Sequence, residues 1–241
     1  MTRYLEIADR LAGELAGCAP GTRVASEPEL ASRFGVGRAA ARSALQELER
    51  RLLVRRVQGA GTFVNSRIDY VISRSRPPSW HATVEASGAT PRAMVKAVDR
   101  AGLPETEAAR LEREPGSLAH HVVREFYIDE LLATWTEEWI PVDVVPDLDM
   151  ALQVVDSIDV VLRQMGRVRP VRAWYRVSLE MPPAHVLREL GIEASCPVYL
   201  GESLSRDAGS GRVLMCSAAW TRADAVRVIV ELTETIPEVV Q

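Results

Sequence analysis

The stretch "VASEPELASRFGVGRAAARSALQELERRLL", residues 24–53, decides how the first part of the chain folds. It holds two short runs of apolar residues at helical spacing, separated by the break Gly-Val-Gly at residues 35–37. Ser26 stands directly before Glu27 and Pro28. A serine followed by acidic residues and a proline is a strong signal for the start of a helix. The stretch therefore predicts two helices joined by a tight turn.

The residues on either side extend this pattern. An amphipathic helix is predicted over residues 4–16, and Pro20-Gly21 ends it. After the quoted stretch, "LLVRRVQGAGTFV" at residues 52–64 predicts a strand, a glycine-rich turn and a second strand. Helix, short turn and helix followed by a basic hairpin is the plan of a winged helix-turn-helix, whose second helix enters the major groove of DNA.

Two arginines are placed where such a helix would meet DNA. Arg38 and Arg42 lie one turn apart near the start of the predicted recognition helix. A guanidinium group can bind a phosphate or the major-groove edge of guanine. The alternative is a solvated arginine face on an ordinary helical bundle, and the basic hairpin that follows favours the DNA interpretation.

The charge distribution supports the same interpretation. The whole chain of 241 residues carries a formal net charge of −4. Residues 1–67 hold 11 basic and 7 acidic side chains, whereas residues 68–241 hold 18 and 26. A basic first segment joined to an acidic remainder suggests that one end meets a polyanion. Two ordinary domains that merely differ in charge remain the alternative.

Residues 4–64 resemble the winged helix-turn-helix of the GntR family of bacterial transcription regulators. The residues that carry the resemblance are Tyr4, Ile7, Leu11, Pro20-Gly21, Ser26-Glu27, Leu30-Ala31, Phe34-Gly35-Val36, Arg38, Arg42, Ala44-Leu45, Leu48 and Gly59-Ala60-Gly61-Thr62-Phe63-Val64. The resemblance implies a DNA-binding set of Arg38, Ala39, Arg42, Arg55, Gln58 and Gly59. This chain departs from the family pattern where hydroxyl residues are usual, with Gly37, Ala39 and Ala40, and it has Arg51 or Leu52 where glycine is common.

The rest of the chain predicts a mixed α+β domain with mostly antiparallel strands, because several connections are short. Strand-like runs lie near residues 92–99, 118–129, 132–140, 168–180, 197–205, 212–220 and 226–232, and helical runs near 105–111, 148–165 and 182–190. The order resembles the UTRA domain of the HutC subfamily, an effector-binding domain whose fold is like chorismate lyase. That resemblance rests on "VVREFYID…LLATWTEEWIP", "SIDVVL", "LGI…CPVYL" and "WTRAD" within residues 77–232.

The same resemblance implies a ligand site. Its candidate residues are Ser79, Arg124, Ser157, Arg172, Tyr175 and Arg222. Ser157 at a helix start and Arg124 would favour an anion. However, Glu125-Phe126 follows Arg124, so the second arginine of the relatives is absent. The alternatives are a surface arginine, a helix-capping serine, a packed tyrosine and an ion pair of Arg222 with Asp224 or another acid.

The sequence gives no support to an enzyme, a cofactor or a metal site. The cysteines at 18, 196 and 216 form no C-x-x-C pair, which favours a reducing cytoplasm over a disulfide scaffold or a zinc site. His120 and His121 are expected to point to opposite faces of a strand, where they would not chelate together. No catalytic or nucleotide-binding motif is present. No apolar run is long enough to span a bilayer, so the chain is expected to be cytoplasmic.

We therefore predict an α+β protein with a winged helix-turn-helix at residues 1–66, a linker at 67–78 and a UTRA-like ligand-binding and dimerisation domain at 79–236. The predicted function is a transcription regulator, a repressor that a small metabolite releases or modulates, with an anion as one candidate. Its partners would be double-stranded operator DNA, the effector and a second copy of the chain, without a membrane. The alternatives are a DNA-binding protein whose second domain only dimerises and an enzyme with a vestigial DNA module.

Overall fold

The computed structural model describes residues 2–57, 59–73, 79–193 and 196–231. These residues form two compact units. The first unit comprises the chain up to Arg67 together with Ala223–Ala225, and the second comprises Ile68–Arg222 and the chain from Val226 onward. The elements of the first unit are α1 (Arg3–Leu15), α2 (Glu27–Phe34), α3 (Arg38–Arg50), β1 (Val54–Val57) and β2 (Gly61–Val64).

Local capping chemistry sets the bounds of α2. The backbone N–H and the hydroxyl of Ser26 both donate to Glu29 Oε2 at 2.7 Å, which forms a capping box. Pro28 lies in the first turn, and Gly35 ends the helix in the left-handed conformation at φ 60°. Gly37 then caps α3. The predicted helix starts and the turn between them are therefore confirmed.

A small apolar core holds the three helices and the hairpin together. Leu30, Leu45 and Leu48 are almost completely buried and pack with Val54 from β1. Burying one leucine side chain stabilises a fold by about 1.5–3 kcal/mol. Leu52 follows α3 at φ 58°, a left-handed conformation that glycine adopts without strain.

The second unit is built around a six-stranded antiparallel sheet in the order β4-β5-β6-β9-β8-β7. A separate parallel pair joins β3 and β10. The elements are β3 (Ile68–Ile72), α4 (Trp80–Ala86), β4 (Pro91–Gly102), α5 (Glu105–Leu111), β5 (Leu118–Ile128), β6 (Leu131–Pro141), α6 (Leu148–Ala151), α7 (Ile158–Gln164), β7 (Pro170–Glu180), α8 (Ala184–Leu190), β8 (Val198–Asp207), β9 (Val213–Arg222) and β10 (Val226–Val230).

The α+β class and the mostly antiparallel pairing are confirmed. The turn at residues 206–212 joins β8 to β9, and the carboxylate of Asp207 organises it. That carboxylate accepts hydrogen bonds from the Ser210 hydroxyl at 2.6 Å, the Ser210 N–H at 2.9 Å and the Arg169 N–H at 2.8 Å. These hydrogen bonds, the one from the Ser210 hydroxyl above all, lower the pKa of Asp207. Within the described part of the chain, no helix is long and apolar enough to cross a membrane.

Two local predictions were wrong, and one helix was not predicted. The single helix expected at 148–165 is two short helices, because a turn follows α6 and the hydroxyl of Ser157 accepts the Val160 N–H to start a new helix. The expected linker at 67–78 contains β3, which pairs with β10, a strand 158 positions further along the chain. The helix α4 was not predicted. Residues 74–78, 232–236 and Gln58 lie outside the described residues, so the calls on them have no structural counterpart here.

Candidate functional sites

The start of α3 presents two exposed arginines on the surface of the first unit. Arg38 is the first residue of the helix, and its side chain makes no ion pair among the described residues. Ala39 beside it is also exposed. The side chain of Arg42 is 62% exposed, and its Nε lies 3.2 and 3.1 Å from the two carboxylate oxygens of Glu27. Arg38 is thus free to reach a ligand, whereas Arg42 is already oriented.

The hairpin that follows has the geometry of a short wing. Its register pairs Val54 with Val64 and Val57 with Gly61. Gly59 in the turn has φ 75°, a conformation that a residue with a side chain rarely adopts. Arg55, partly buried, stands opposite Phe63. The structure therefore places Gly59 at an exposed turn, where a backbone can come close to a partner.

A cluster of charges joins the helix to the wing, and the sequence did not reveal it. Glu27 forms an ion pair with Arg42 of α3, and Glu27 Oε1 also lies 3.8 Å from Nη2 of Arg56 in β1. Nε of Arg56 lies 3.4 Å from Glu49 Oε2. The sequence had identified Glu27 only as an acidic residue at a helix start. Its partners stand 15 and 29 positions further along, so only the folded structure brings them together.

The second unit contains a cavity of about 450 Å³, within the range of small-molecule sites. One face of the sheet contributes residues from β5 to β9, and β3, α4, α7 and β10 complete the walls. Of the six predicted ligand-site residues, five line this cavity: Ser79, Arg124, Ser157, Arg172 and Tyr175. Arg222, the last residue of β9, is not among its lining residues.

The two predicted serines each cap a short helix. Ser79 Oγ accepts the N–H of Ala82 at 3.3 Å, and Ser157 Oγ accepts the N–H of Val160 at 3.4 Å. Both hydroxyls line the cavity and keep their own hydrogen available as a donor. Ser79 and Ser157 therefore each cap a helix and also line the cavity.

Arg124 is buried and makes a two-pronged ion pair inside the cavity wall. Its Nε and Nη2 each donate to one carboxylate oxygen of Glu138 at 2.6 Å, and its Nη1 donates to the backbone carbonyl of Asp156 at 3.0 Å. The two side chains are only 9% and 7% exposed. Its guanidinium also covers the ring of Phe126 at 4.6 Å. Arg124 thus already has a full negative partner from its own chain.

Arg172 and Tyr175 form the opposite wall. The guanidinium of Arg172 lies 4.8 Å from the centre of the Tyr175 ring, and its Nη2 donates to Tyr70 Oη at 3.3 Å. Burial raises the pKa of Tyr175, which stays a neutral hydroxyl donor. The ring passes over Gly201, where a Cβ would lie 2.2 Å from Tyr175 Oη. Gly201 therefore makes room for the tyrosine.

Paired hydroxyl groups cover the sheet at the bottom of the cavity. Ser203 Oγ lies 2.8 Å from Ser217 Oγ, and Thr134 Oγ1 lies 3.0 Å from Thr221 Oγ1. Each pair joins neighbouring strands in register. Sequence reasoning missed these residues, although small polar residues at alternate positions of "ESLS" and "CSAAWT" were a usable signal that one strand face avoids apolar contacts.

His120 and His121 lie on opposite faces of β5, as predicted. His120 is completely buried, and its Nε2 donates to the carbonyl of Val145 at 2.9 Å. His121 stacks on Trp139 with ring centres 4.4 Å apart. Neither histidine lines the cavity.

Two models of protein families match this chain. The model described as bacterial regulatory proteins, gntR family, matches residues 3–64. The model described as the UTRA domain matches residues 86–227.

Two proteins of Escherichia coli K12 are similar in sequence. The HTH-type transcriptional regulator GgaR is 28% identical over 190 residues, which cover 78% of this chain and 73% of GgaR. The mannosyl-D-glycerate transport/metabolism system repressor MngR is 25% identical over 207 residues, which cover 84% of each protein.

Solved structures share the fold. PhnF from Mycobacterium smegmatis superposes with a TM-score of 0.67 at 21% identity, covering 95% of this chain and 100% of PhnF. The possible transcriptional regulator YydK from Bacillus subtilis superposes with a TM-score of 0.58 at 18% identity, covering 97% and 100%.

Proposed function

Since the chain belongs to the GntR family of bacterial transcription regulators and carries a UTRA domain, we propose that it is a repressor controlled by a small molecule. The first unit would bind operator DNA and the second unit would bind the effector. The observation that carries the proposal is the cavity of about 450 Å³, because five residues chosen from sequence alone meet in its wall.

In this proposal, Arg38 and Arg42 bind DNA from the start of α3, and Gly59 approaches it from the wing. Arg38 is exposed without an ion pair among the described residues, so its guanidinium can bind a phosphate or a guanine edge. Ala39 beside it offers only a methyl group, which fits an apolar contact such as a thymine methyl. Arg55 and Gln58 would add contacts from the hairpin.

The effector would contact Ser79, Arg124, Ser157, Arg172 and Tyr175. The relative MngR is named as a repressor of a transport and metabolism system, which supports repression as the mode of control. The prediction of an anionic effector requires an arginine in the cavity whose charge is not already neutralised by a carboxylate. Arg124 shares its charge with Glu138, so Arg172 is the stronger candidate for such a contact.

We also propose that the protein acts as a homodimer, with residues 1–66 as the DNA-binding domain and residues 79–236 as the effector and dimerisation domain. A single winged helix reads too few bases for tight specificity, and a two-fold dimer reads two half-sites. The second domain is the natural place for dimer contacts, because its acidic balance disfavours DNA.

A gel-shift titration tests this function. The full chain is titrated onto a fragment of its operator, with and without a metabolite extract fractionated by size. We expect a low-molecular-weight fraction to change the apparent affinity for the parent chain. The variant Tyr175→Phe, which loses one cavity hydroxyl, should need more of that fraction for the same change. A chain that binds the operator but responds to no fraction would support a second domain that only dimerises.

A further inference from the structure

The ion pair between Arg124 and Glu138 fixes the charge of the cavity wall. Both oxygens of Glu138 are occupied by Arg124 at 2.6 Å, and both side chains are more than nine-tenths buried. An incoming dianion at Arg124 would meet this carboxylate at close range. Removing the carboxylate from its partner would leave a buried, unpaired charge, which is strongly unfavourable.

The other charged groups of the cavity do not restore a positive balance. Asp156 and Asp159 also line it, and Asp156 Oδ2 lies 3.6 Å from Nε2 of His81. Asp159 pairs with Arg163, which is not among the lining residues. Arg172 has a tyrosine hydroxyl and a ring as its contacts rather than a carboxylate. The lining residues that the structure describes therefore hold two arginines and three acids.

Hydroxyl groups dominate the polar surface instead. Eleven of the described lining side chains carry one. In the pairs Ser203–Ser217 and Thr134–Thr221 only one of the two hydrogens is used, so each pair retains a donor and several lone pairs. Ser205 is 8% exposed and lines the cavity, and its hydroxyl makes no hydrogen bond to the described residues. Such a wall fits a ligand that both donates and accepts at many points.

Aromatic rings complete the wall. Trp80 and Phe126 have ring centres 5.5 Å apart, and Tyr70 lies 6.3 Å from Trp80. The guanidinium groups of Arg124 and Arg172 already cover rings of this wall, so a cationic ligand would meet two positive charges there. The rings offer apolar contact to the C–H faces of a ligand rather than a cage for a cation.

We infer that this cavity takes a neutral, polyhydroxylated ligand of the sugar type and that Glu138 is the residue that excludes a phosphate group. The inference rests on the proposed function, because it names the ligand class of the same cavity. Glu138 is the counter-ion of Arg124, and its carboxylate occupies the position beside the guanidinium where the phosphate of a ligand would bind. Without that carboxylate, Arg124 would be a buried cation open to an anion.

Calorimetric titration of the full chain tests the role of Glu138. The probes are inorganic phosphate and glucose 6-phosphate, and the variants are Glu138→Gln and the matched control Glu137→Gln, whose side chain is 39% exposed on the same strand. We expect the parent and the control to show no saturable binding, and Glu138→Gln to gain saturable binding of both probes. The double variant Arg124→Gln/Glu138→Gln should lose that gain. Saturable phosphate binding by the parent, or no gain in a folded Glu138→Gln, overturns the inference.

Saturation-transfer NMR tests the ligand class. The full chain is mixed with neutral mono- and disaccharides and with the phosphate esters of the same sugars. Signals from neutral members support the inference, and signals from the esters alone, or from neither set, overturn it. A phosphorylated sugar that releases the operator would overturn the inference while supporting the proposed function. A neutral sugar that binds in the cavity without any effect on operator binding would support the inference and contradict the proposed function.

Discussion

Arg42 of α3 is held by Glu27 of the preceding helix, with Nε 3.1 Å from Oε2. Glu27 also lies 3.8 Å from Arg56 in the first strand of the wing. One carboxylate thus stands between the two elements that a winged helix-turn-helix presents to DNA. It lowers the local positive charge, and it orients an arginine that would otherwise sample many rotamers.

The variant Glu27→Gln separates these two effects. We expect its affinity for operator DNA to fall by about 1 kcal/mol, the order of a lost hydrogen bond to a charged group. Its affinity for random duplex should stay the same or rise, because a negative charge near the phosphates is gone. Fluorescence anisotropy on both duplexes measures the ratio, with Glu6→Gln on α1 as the control of equal charge. If both affinities rise together, Glu27 only tunes charge and does not position Arg42.

Arg38→Ala and Arg42→Ala should each weaken operator binding by about 1–3 kcal/mol if these arginines read bases. The effect on random duplex should be smaller, because base contacts carry the specificity and phosphate contacts do not. The control is Arg206→Ala, which removes an arginine from the second unit that pairs with Glu112. Unchanged operator affinity and an unchanged salt dependence in both variants would show that α3 is not the recognition helix.

The sequence predicted those features whose chemistry is local. Ser26 caps the helix α2, Pro28 lies in its first turn and Gly35 ends it. These residues act through contacts only a few positions apart, so the sequence alone predicts the limits of the helix. The helix expected at 148–165 failed because its apolar spacing continued past Ser157, whose capping role breaks the helix in two. The strand β3 was missed because its partner lies near the other end of the chain.

The candidate cavity was predicted in its members but not in its chemistry. Arg124 and Tyr175 both line the cavity, yet nothing in the sequence shows that Glu138 pairs with Arg124. That pairing depends on the register between β5 and β6, in which Arg124 stands opposite Thr136 and Glu138 is the next residue on the same face. The charge of the cavity wall therefore depends on the tertiary structure and cannot be predicted from the sequence alone.

Gly201 should be intolerant of a side chain, because a Cβ would lie 2.2 Å from Tyr175 Oη. We expect Gly201→Ala to displace the tyrosine ring, to cost about 1–3 kcal/mol of stability and to weaken any ligand held by the cavity. DNA binding without ligand should be retained. Thermal unfolding and ligand titration measure the two effects, with Gly209→Ala in the β8–β9 turn as the control. An unshifted ligand affinity would place the binding site away from Tyr175.

His120 should make the protein sensitive to mild acid. Burial lowers the pKa of His120 below its ordinary value of 6.5, and among the described residues its Nδ1 has no hydrogen-bond partner. Below about pH 6.5, His120 therefore binds a proton in the unfolded chain but stays neutral in the folded chain. The free energy of unfolding therefore falls as the pH is lowered. At higher pH the histidine is neutral in both states and contributes no pH dependence.

The measurement is the melting temperature of the parent, His120→Gln and His121→Gln between pH 5 and 8. We expect the parent and His121→Gln to lose stability on the acid side of about pH 6.5. The variant His120→Gln should have a flatter profile even if its stability is lower throughout. Equal slopes for all three proteins would mean that folding does not change the pKa of His120.

We propose that this chain recognises a specific operator as a two-fold dimer. Selection of random duplex DNA by the full chain, followed by sequencing of the bound fraction, tests it most directly. We expect convergence on an inverted repeat, with half-sites whose spacing matches two recognition helices on one face of the duplex. A bound fraction that stays random in sequence after repeated rounds would show that the chain does not recognise a specific operator as a dimer.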